Sequence, residues 1–219
     1  MMAYNEHDHL LVIFPHPDDE AFSSAGTIIE HATNRGPVTY ACLTLGEMGR
    51  NMGRPVFTNR EQLATIRKRE LIAAAEKMQI TDLQMWGLRD KTVEFEDEAA
   101  LAERIGQLIQ KTRPTRVISF YPGYAVHPDH EATARAVVRA LRAIDEADRP
   151  EFLAVAFANN TKDELGEGTF IHDVSAYTDQ KVAALEAHAS QTGGLMKVIS
   201  EDSNIRDLLV KERYYHYPL

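Results

Sequence analysis

The sequence predicts an α/β protein of Rossmann-like architecture: a mostly parallel sheet with helices on both faces and an active site at the carboxyl ends of the strands. Three observations predict it. Short apolar runs alternate with longer helical patterns along the chain, the order expected when each strand is followed by a covering helix. The first run, LLVIFP at Leu10–Pro15, is continuously apolar, as a buried strand requires. The loops richest in His and Asp directly follow two of the runs, and ligands of open α/β sheets bind outside the carboxyl ends of strands.

Taken in order, Leu10–Pro15 is the first predicted strand, followed by the polar loop HPDDEAFSS and a helix over Ser24–Arg35 that Gly36-Pro37 stops. Val38–Leu45 is the second strand. The glycine-rich loop Gly46–Thr58 follows, then a charged amphipathic helix over Arg60–Met78. Leu83–Trp86 is a short third strand, and Ala99–Thr112 is a helix that ends before Pro114. Arg116–Tyr121 is the fourth strand, leading through PGYAVHPDH into a helix over Glu131–Ala147. Glu151–Ala158 is a fifth strand, Thr169–Val174 a sixth, and Asp179–Ser190 a late helix. The stretch from Gly46 to Asn59 is long for a compact domain, and such loops commonly serve as lids or binding loops. A chain of 219 residues fits a single domain, residues 1–219. Chain order does not say which strands are neighbours.

The formal net charge of −9 opposes binding to nucleic acid or to anionic membranes, and no apolar run approaches the roughly 20 residues a membrane span needs. The segment Met1–His9 has no basic region ahead of its apolar run, so it reads as a poor secretory leader. One cysteine, Cys42, rules out an intramolecular disulfide and is expected as a buried thiol, with the cytoplasm as the default compartment. The tyrosine-rich end Tyr214-Tyr215-His216-Tyr217 is a candidate for homo-oligomer contacts.

Two motifs carry chemistry. His16-Pro17-Asp18-Asp19-Glu20 places an imidazole beside three carboxylates, which repel one another unless a cation sits among them. Mixed nitrogen and carboxylate ligands suit zinc, with iron, manganese and cobalt as alternatives. His127-Pro128-Asp129-His130-Glu131 repeats the pattern after the fourth strand. Two His and one Asp drawn from separate loops can form a three-ligand site with an open position, the catalytic pattern for zinc. Either motif alone could be a capped helix start with an acidic first turn; two of them, each after a strand, favour a shared metal site.

At these residues the chain resembles the LmbE/PIG-L family of zinc-dependent N-deacetylases, through PHPDDE at Pro15–Glu20 and HPDH at His127–His130. The resemblance continues in LTLGEMG at Leu43–Gly49, RKRE at Arg67–Glu70, LRD at Leu88–Asp90 and HASQ at His188–Gln191. FYPGYAVHPDH and WGLRDKT are most similar to the bacillithiol-pathway branch, which acts on N-acetylglucosaminyl malate. The resemblance implies that His16, Asp19 and His130 hold Zn2+, that Asp18 is the general base, and that His127 protonates the leaving group or steadies the oxyanion with Asp129 orienting it. Adjacent carboxylates agree with this division: one can ligate the metal while its neighbour takes a proton from water whose pKa the metal lowers toward ~7. Either His127 or the newly protonated Asp18 could serve as the acid.

Residues expected at the substrate are Arg67 for a hydroxyl or a carboxylate, Asp90 accepting from sugar hydroxyls, Glu47 pinning the glycine loop, Arg50 meeting an anionic aglycone, and Tyr124 donating to the oxyanion. His188, on a helix, reads as a packing or surface histidine. The expected partner is a small N-acetylated glycoside. The rival enzyme reading is an amidase acting on a bulkier amide such as a bacillithiol S-conjugate; the rival outside enzymes is a noncatalytic sugar- or nucleotide-binding α/β module. Dinucleotide binding fails because HPDDE stands where G-x-G-x-x-G would follow the first strand.

Overall fold

The computed structural model describes residues 8–194 and 203–219. Strands β1 (Leu10–Phe14), β2 (Val38–Thr44), β3 (Asp82–Leu88), β4 (Arg116–Phe120) and β5 (Glu151–Val155) form one parallel sheet in the order β3-β2-β1-β4-β5. β1 lies at its centre with every side chain buried. Leu10, Val12 and Phe14 enter the core on one face; Leu11 and Ile13 enter the core on the other. At roughly 1.5–3 kcal/mol for each fully buried aliphatic or aromatic side chain, this strand is a rigid base for the loop that follows it.

Helices cover both faces. α2 (Ala25–Asn34), α3 (Leu63–Lys77) and α7 (Thr178–Ala187) pack on one side, and α4 (Glu98–Thr112) and α5 (Pro128–Arg142) on the other. A short helix, α6 (Thr161–Leu165), follows β5. The chain leaves β1 for the first side and β4 for the second. Because β1 and β4 pair directly, with Leu10 opposite Arg116 and Val12 opposite Ile118, the loops after them open side by side at the point where the sheet's winding reverses, the position at which open α/β sheets bind ligands.

Several boundaries differ from the sequence expectation, for identifiable reasons. The helix expected from Ser24 is preceded by a separate short helix, α1 (Asp19–Ser23), whose first turn carries Asp19 and Glu20 and so matches the positive end of the helix dipole. α5 begins three residues earlier than expected, at Pro128: the ring suits the first helical position, and the His127 side chain caps the helix by accepting from the Asp129 amide. The helix also ends earlier, at Arg142. The late helix stops at Ala187, and a further short helix, α8 (Ala189–Thr192), follows His188.

The sixth strand, β6 (Phe170–Asp173), does not join the main sheet. It pairs antiparallel with β7 (Lys211–Tyr214), a strand that the sequence reading did not foresee and that follows a helix over Ser203–Val210. Tyr214 and Tyr215 of the tyrosine-rich end are buried in the chain's own core, with Tyr215 bridging to Ala154 of β5. Cys42 is a buried free thiol, and burial pushes its pKa well up. Among the described residues no helix is long and apolar enough to cross a membrane.

Candidate metal centre

His16 stands two residues beyond β1, and His130 lies in the first turn of α5, 114 residues away in sequence. The Phe120 ring at the end of β4 packs against Phe14 of β1, with centroids 4.6 Å apart, and stacks on the His130 ring at 4.2 Å. The sheet therefore supplies an aromatic base on which one imidazole rests.

Both imidazoles have one nitrogen committed elsewhere. His130 donates from Nδ1 to the Ala125 carbonyl at 3.1 Å. His16 donates from Nε2 to Asp129 Oδ2 at 3.2 Å and lies 3.1 Å from Asp90 Oδ1. The remaining nitrogens, His16 Nδ1 and His130 Nε2, face each other at 3.0 Å. In these tautomers two lone pairs point at one another. The Asp19 carboxylate closes the triangle, with Oδ1 3.3 Å from His130 Nε2 and Oδ2 3.5 Å from His16 Nδ1. A tetrahedral zinc with ligands at ~2.0–2.1 Å separates its ligand atoms by roughly 3.3–3.4 Å, and the three side chains stand near that spacing, Asp19 approaching each imidazole through a different oxygen. Carboxylates and a carbonyl on the far nitrogens are the usual outer partners of metal-bound histidines.

The charges follow from this crowding. Burial opposes protonation of His16, but Asp129, Asp19 and Asp90 outweigh it and hold the imidazole well above its usual pKa. Burial likewise opposes ionisation of Asp19, yet His130 and His16 keep its carboxyl far below the usual range. A cation among these groups would replace the proton as the compensating charge.

The carboxylates of Asp90 and Asp129 also approach His16 closely enough to form a second cluster. They are occupied as acceptors: Asp129 takes the amides of Lys91 at 2.7 Å and Val93 at 3.1 Å, and Asp90 takes the Met48 amide at 2.7 Å. They act as supports for His16. This differs from the expected roles: the Asp129 side chain holds His16, and it is the Asp129 backbone amide that orients His127, at 3.2 Å from Nδ1. Asp90 is tied to His16 and the glycine loop instead of standing free for sugar hydroxyls.

His127 completes a cluster of three rings with His16 and His130. Because its Nδ1 accepts an amide hydrogen, its Nε2 carries the proton in the neutral ring and can donate. Burial, reinforced by His16 and His130, lowers its pKa.

Asp18 is adjacent to Asp19 but turned away by a left-handed backbone, φ 102°, which a short polar side chain tolerates. Its amide donates to Glu20 Oε2 at 3.0 Å, and its Oδ2 accepts from Arg67 Nη2 at 2.9 Å. Burial pushes its pKa up to about 6, with Arg67 opposing and Asp19 reinforcing the shift. Arg67 is only 3% exposed and also donates to the carbonyls of Gly46 and Pro17. Glu70, the partner considered for it in the sequence, instead accepts from the amide and hydroxyl of Ser190, each at 2.7 Å. Gly46 has φ +61°, and a Cβ there would collide with the Arg67 guanidinium and force it to shift.

Glu47 accepts from the Asp90 amide at 3.0 Å and so pins the loop to β3's exit. Arg50 is exposed on the rim of a cleft of about 280 Å³ into which His16, Asp18, Arg67, Asp90 and His127 face. Tyr124 is not among the residues lining that cleft; its hydroxyl donates to Glu164 at 2.6 Å.

Four contributors were given no role at the site by the sequence reading. Lys91 and Gln191 line the cleft. His188 is fully buried and meets Glu20 Oε1 at 2.7 Å, and Glu20 in turn holds the Asp18 amide. Gln191 and His188 lie in the HASQ segment, the signal that could have pointed to them; the exposed lysine offered none.

The chain is similar to known proteins over most of its length. The family profile described as "PIG-L: GlcNAc-PI de-N-acetylase" matches residues 11–141. The chain is 48% identical over 194 residues, 89% of its length and 88% of the relative's, to the "Probable N-acetyl-alpha-D-glucosaminyl L-malate deacetylase 2" of Bacillus subtilis (strain 168). It is 52% identical over 183 residues, 84% and 81% of the two chains, to the protein of the same description from Bacillus anthracis. Among solved structures, N,N'-diacetylchitobiose deacetylase from Pyrococcus horikoshii shares the fold with a TM-score of 0.74 at 19% identity, covering 96% of this chain and 84% of that one. A conserved protein from Thermus thermophilus matches with a TM-score of 0.70 at 25% identity, covering 96% and 94%. A profile match across more than half of the chain, together with relatives near 50% identity, establishes that this chain belongs to the PIG-L family.

Proposed function

We propose that this chain is a zinc-dependent hydrolase that removes the N-acetyl group from an N-acetylglucosaminyl glycoside, with N-acetyl-α-D-glucosaminyl L-malate as substrate. The observation that carries the reading is the convergence of His16 Nδ1, His130 Nε2 and Asp19, with Asp18 lining the same cleft as His16. The substrate follows from the relatives' names and their extent of similarity.

His16, Asp19 and His130 would hold the zinc, which would supply Lewis-acid polarisation of the amide carbonyl and lower the pKa of water toward ~7. The other steps fall to side chains of the chain. Asp18, held in place by Arg67, takes the proton from the attacking water. His127 donates from Nε2 to the oxygen on which negative charge develops. The leaving nitrogen takes its proton from Asp18 or from His127. Asp90 and Asp129 keep His16 in the tautomer that leaves Nδ1 free. Arg50 and Lys91 on the cleft rim provide positive charge for the malate carboxylates.

Acetate release from N-acetylglucosaminyl malate, measured before and after chelator treatment and again after zinc is restored, tests the reading. Turnover that survives complete metal removal, or no acetate release from the zinc-loaded protein, rejects it.

A further inference from the structure

Val126, the residue before His127, is β-branched and yet has a left-handed backbone, φ 67°, which a branched side chain adopts only under constraint. The His127 amide donates across it to the Ala125 carbonyl at 2.8 Å. A bond that spans one residue with φ of about +75° is the strained form of the γ-turn. Val126 is 66% exposed, so packing of its side chain gives little in return.

The constraint comes from its neighbours. Glu131, in the first turn of α5, turns its carboxylate back on the loop and accepts from the Gly123 amide at 2.6 Å and the Ala125 amide at 2.8 Å. An acid in a first turn suits the helix dipole wherever it points; this one spends both oxygens on loop amides, as charge-assisted bonds. Beyond β5, the amides of Phe157 and Ala158 donate to the Tyr124 carbonyl at 3.0 Å and 3.1 Å. Strained backbone persists where its surroundings over-determine it, and it gathers at functional sites.

The turn delivers one carbonyl. With its amide held by Glu131, Ala125 presents its carbonyl to the His127 amide and also to His130 Nδ1, 3.1 Å away. A carbonyl can only accept, so Nδ1 of His130 keeps its hydrogen and Nε2 is left facing His16 and Asp19.

We propose that Glu131 is a positioning residue for the metal centre: by clamping the strained turn at Val126, it aims the Ala125 carbonyl that fixes the His130 tautomer. The inference rests on the metal-site reading above.

Two measurements test it: zinc affinity by competition with a chromogenic chelator, and the His130 tautomer from the ring nitrogen NMR shifts of the metal-free protein. Glu131→Ala loses both clamp bonds. Its zinc affinity should fall about tenfold or more, the loss that follows when an outer partner of a metal-bound histidine is disturbed. Its His130 signals should move from those of the Nδ1–H form toward a mixture. Glu131→Gln keeps one acceptor oxygen and should lie between the native protein and the alanine variant; should the alanine variant not fold, the glutamine variant carries the same comparison. Val126→Gly permits the same turn without a Cβ and should bind zinc as the native protein does. Native zinc affinity or a native tautomer in Glu131→Ala, whatever its thermal midpoint, overturns the proposal and makes Glu131 a brace for the loop alone. A Val126→Gly loss equal to that of Glu131→Ala overturns it as well. Zinc affinity and tautomer that depend on Glu131 in a protein releasing no acetate would fail the deacetylase reading and leave this inference standing.

Discussion

His16 Nδ1 and His130 Nε2 face each other at 3.0 Å, and each ring has spent its other nitrogen on a fixed acceptor. Two neutral imidazoles in these tautomers have no hydrogen to share at that contact, so a proton or a metal ion must fill it. His130→Ala and Asp19→Ala each remove one corner of the triangle. Both variants should lose stoichiometric zinc, read by elemental analysis of dialysed protein. Full zinc occupancy in either would place the ion elsewhere.

Support of His16 from behind should matter almost as much as the ligands. Asp129 is fully buried and accepts from His16 and from two backbone amides. Asp129→Asn keeps the volume but loses the charge that favours the Nε2–H tautomer. Zinc affinity should fall roughly 10–100-fold, measured by competition with a chromogenic chelator. An unchanged affinity would show that the ring is oriented by the protein's packing alone.

The Asp18 carboxylate is held by Arg67 at 2.9 Å, and we propose it as the general base. Asp18→Asn should therefore retain zinc while kcat falls about 10²–10⁴-fold, the range for loss of a general base. Loss of zinc together with activity would make it a ligand instead.

Arg67 joins three separate pieces of chain: the Gly46 carbonyl, the Pro17 carbonyl and the Asp18 carboxylate. A lysine ammonium cannot reproduce that planar fork. Arg67→Lys should lower both kcat and the thermal midpoint, and Arg67→Ala, which leaves a buried carboxylate unpaired, should cost about 3–5 kcal/mol in denaturant unfolding. Gly46→Ala should resemble the lysine variant, because its Cβ displaces the guanidinium. A Gly46→Ala protein with native stability and activity would contradict the close approach.

The buried His188–Glu20 contact makes a pH prediction. Burial disfavours the charged imidazole, but Glu20 at 2.7 Å outweighs it and raises the folded-state pKa above 6.5. The unfolded state therefore gives up this proton first. Its stabilisation is fully present below about pH 6.5 and is lost as pH rises through the folded pKa. The thermal midpoint of the native protein should exceed that of His188→Gln by more at pH 6 than at pH 8.5. A gap that is constant or widens toward pH 8.5 would mean that His188 is buried neutral.

The sequence by itself determined the strand and helix sequence of the main sheet, because each is a local pattern of apolar residues and stop signals. It also determined which residue types could hold a cation, since HPDDE and HPDH place imidazoles and carboxylates within a few positions of one another. The tertiary structure alone decided that β1 and β4 are neighbours, which brings two loops together over 114 residues of sequence. It also decided which nitrogen of each histidine is free, and that the Asp129 carboxylate serves His16 while its amide serves His127. The antiparallel pairing of β6 with β7 and the burial of Arg67 belong with these. Each depends on partners far away along the chain, and a local pattern of residues carries no information about what will stand opposite a side chain once the sheet has formed.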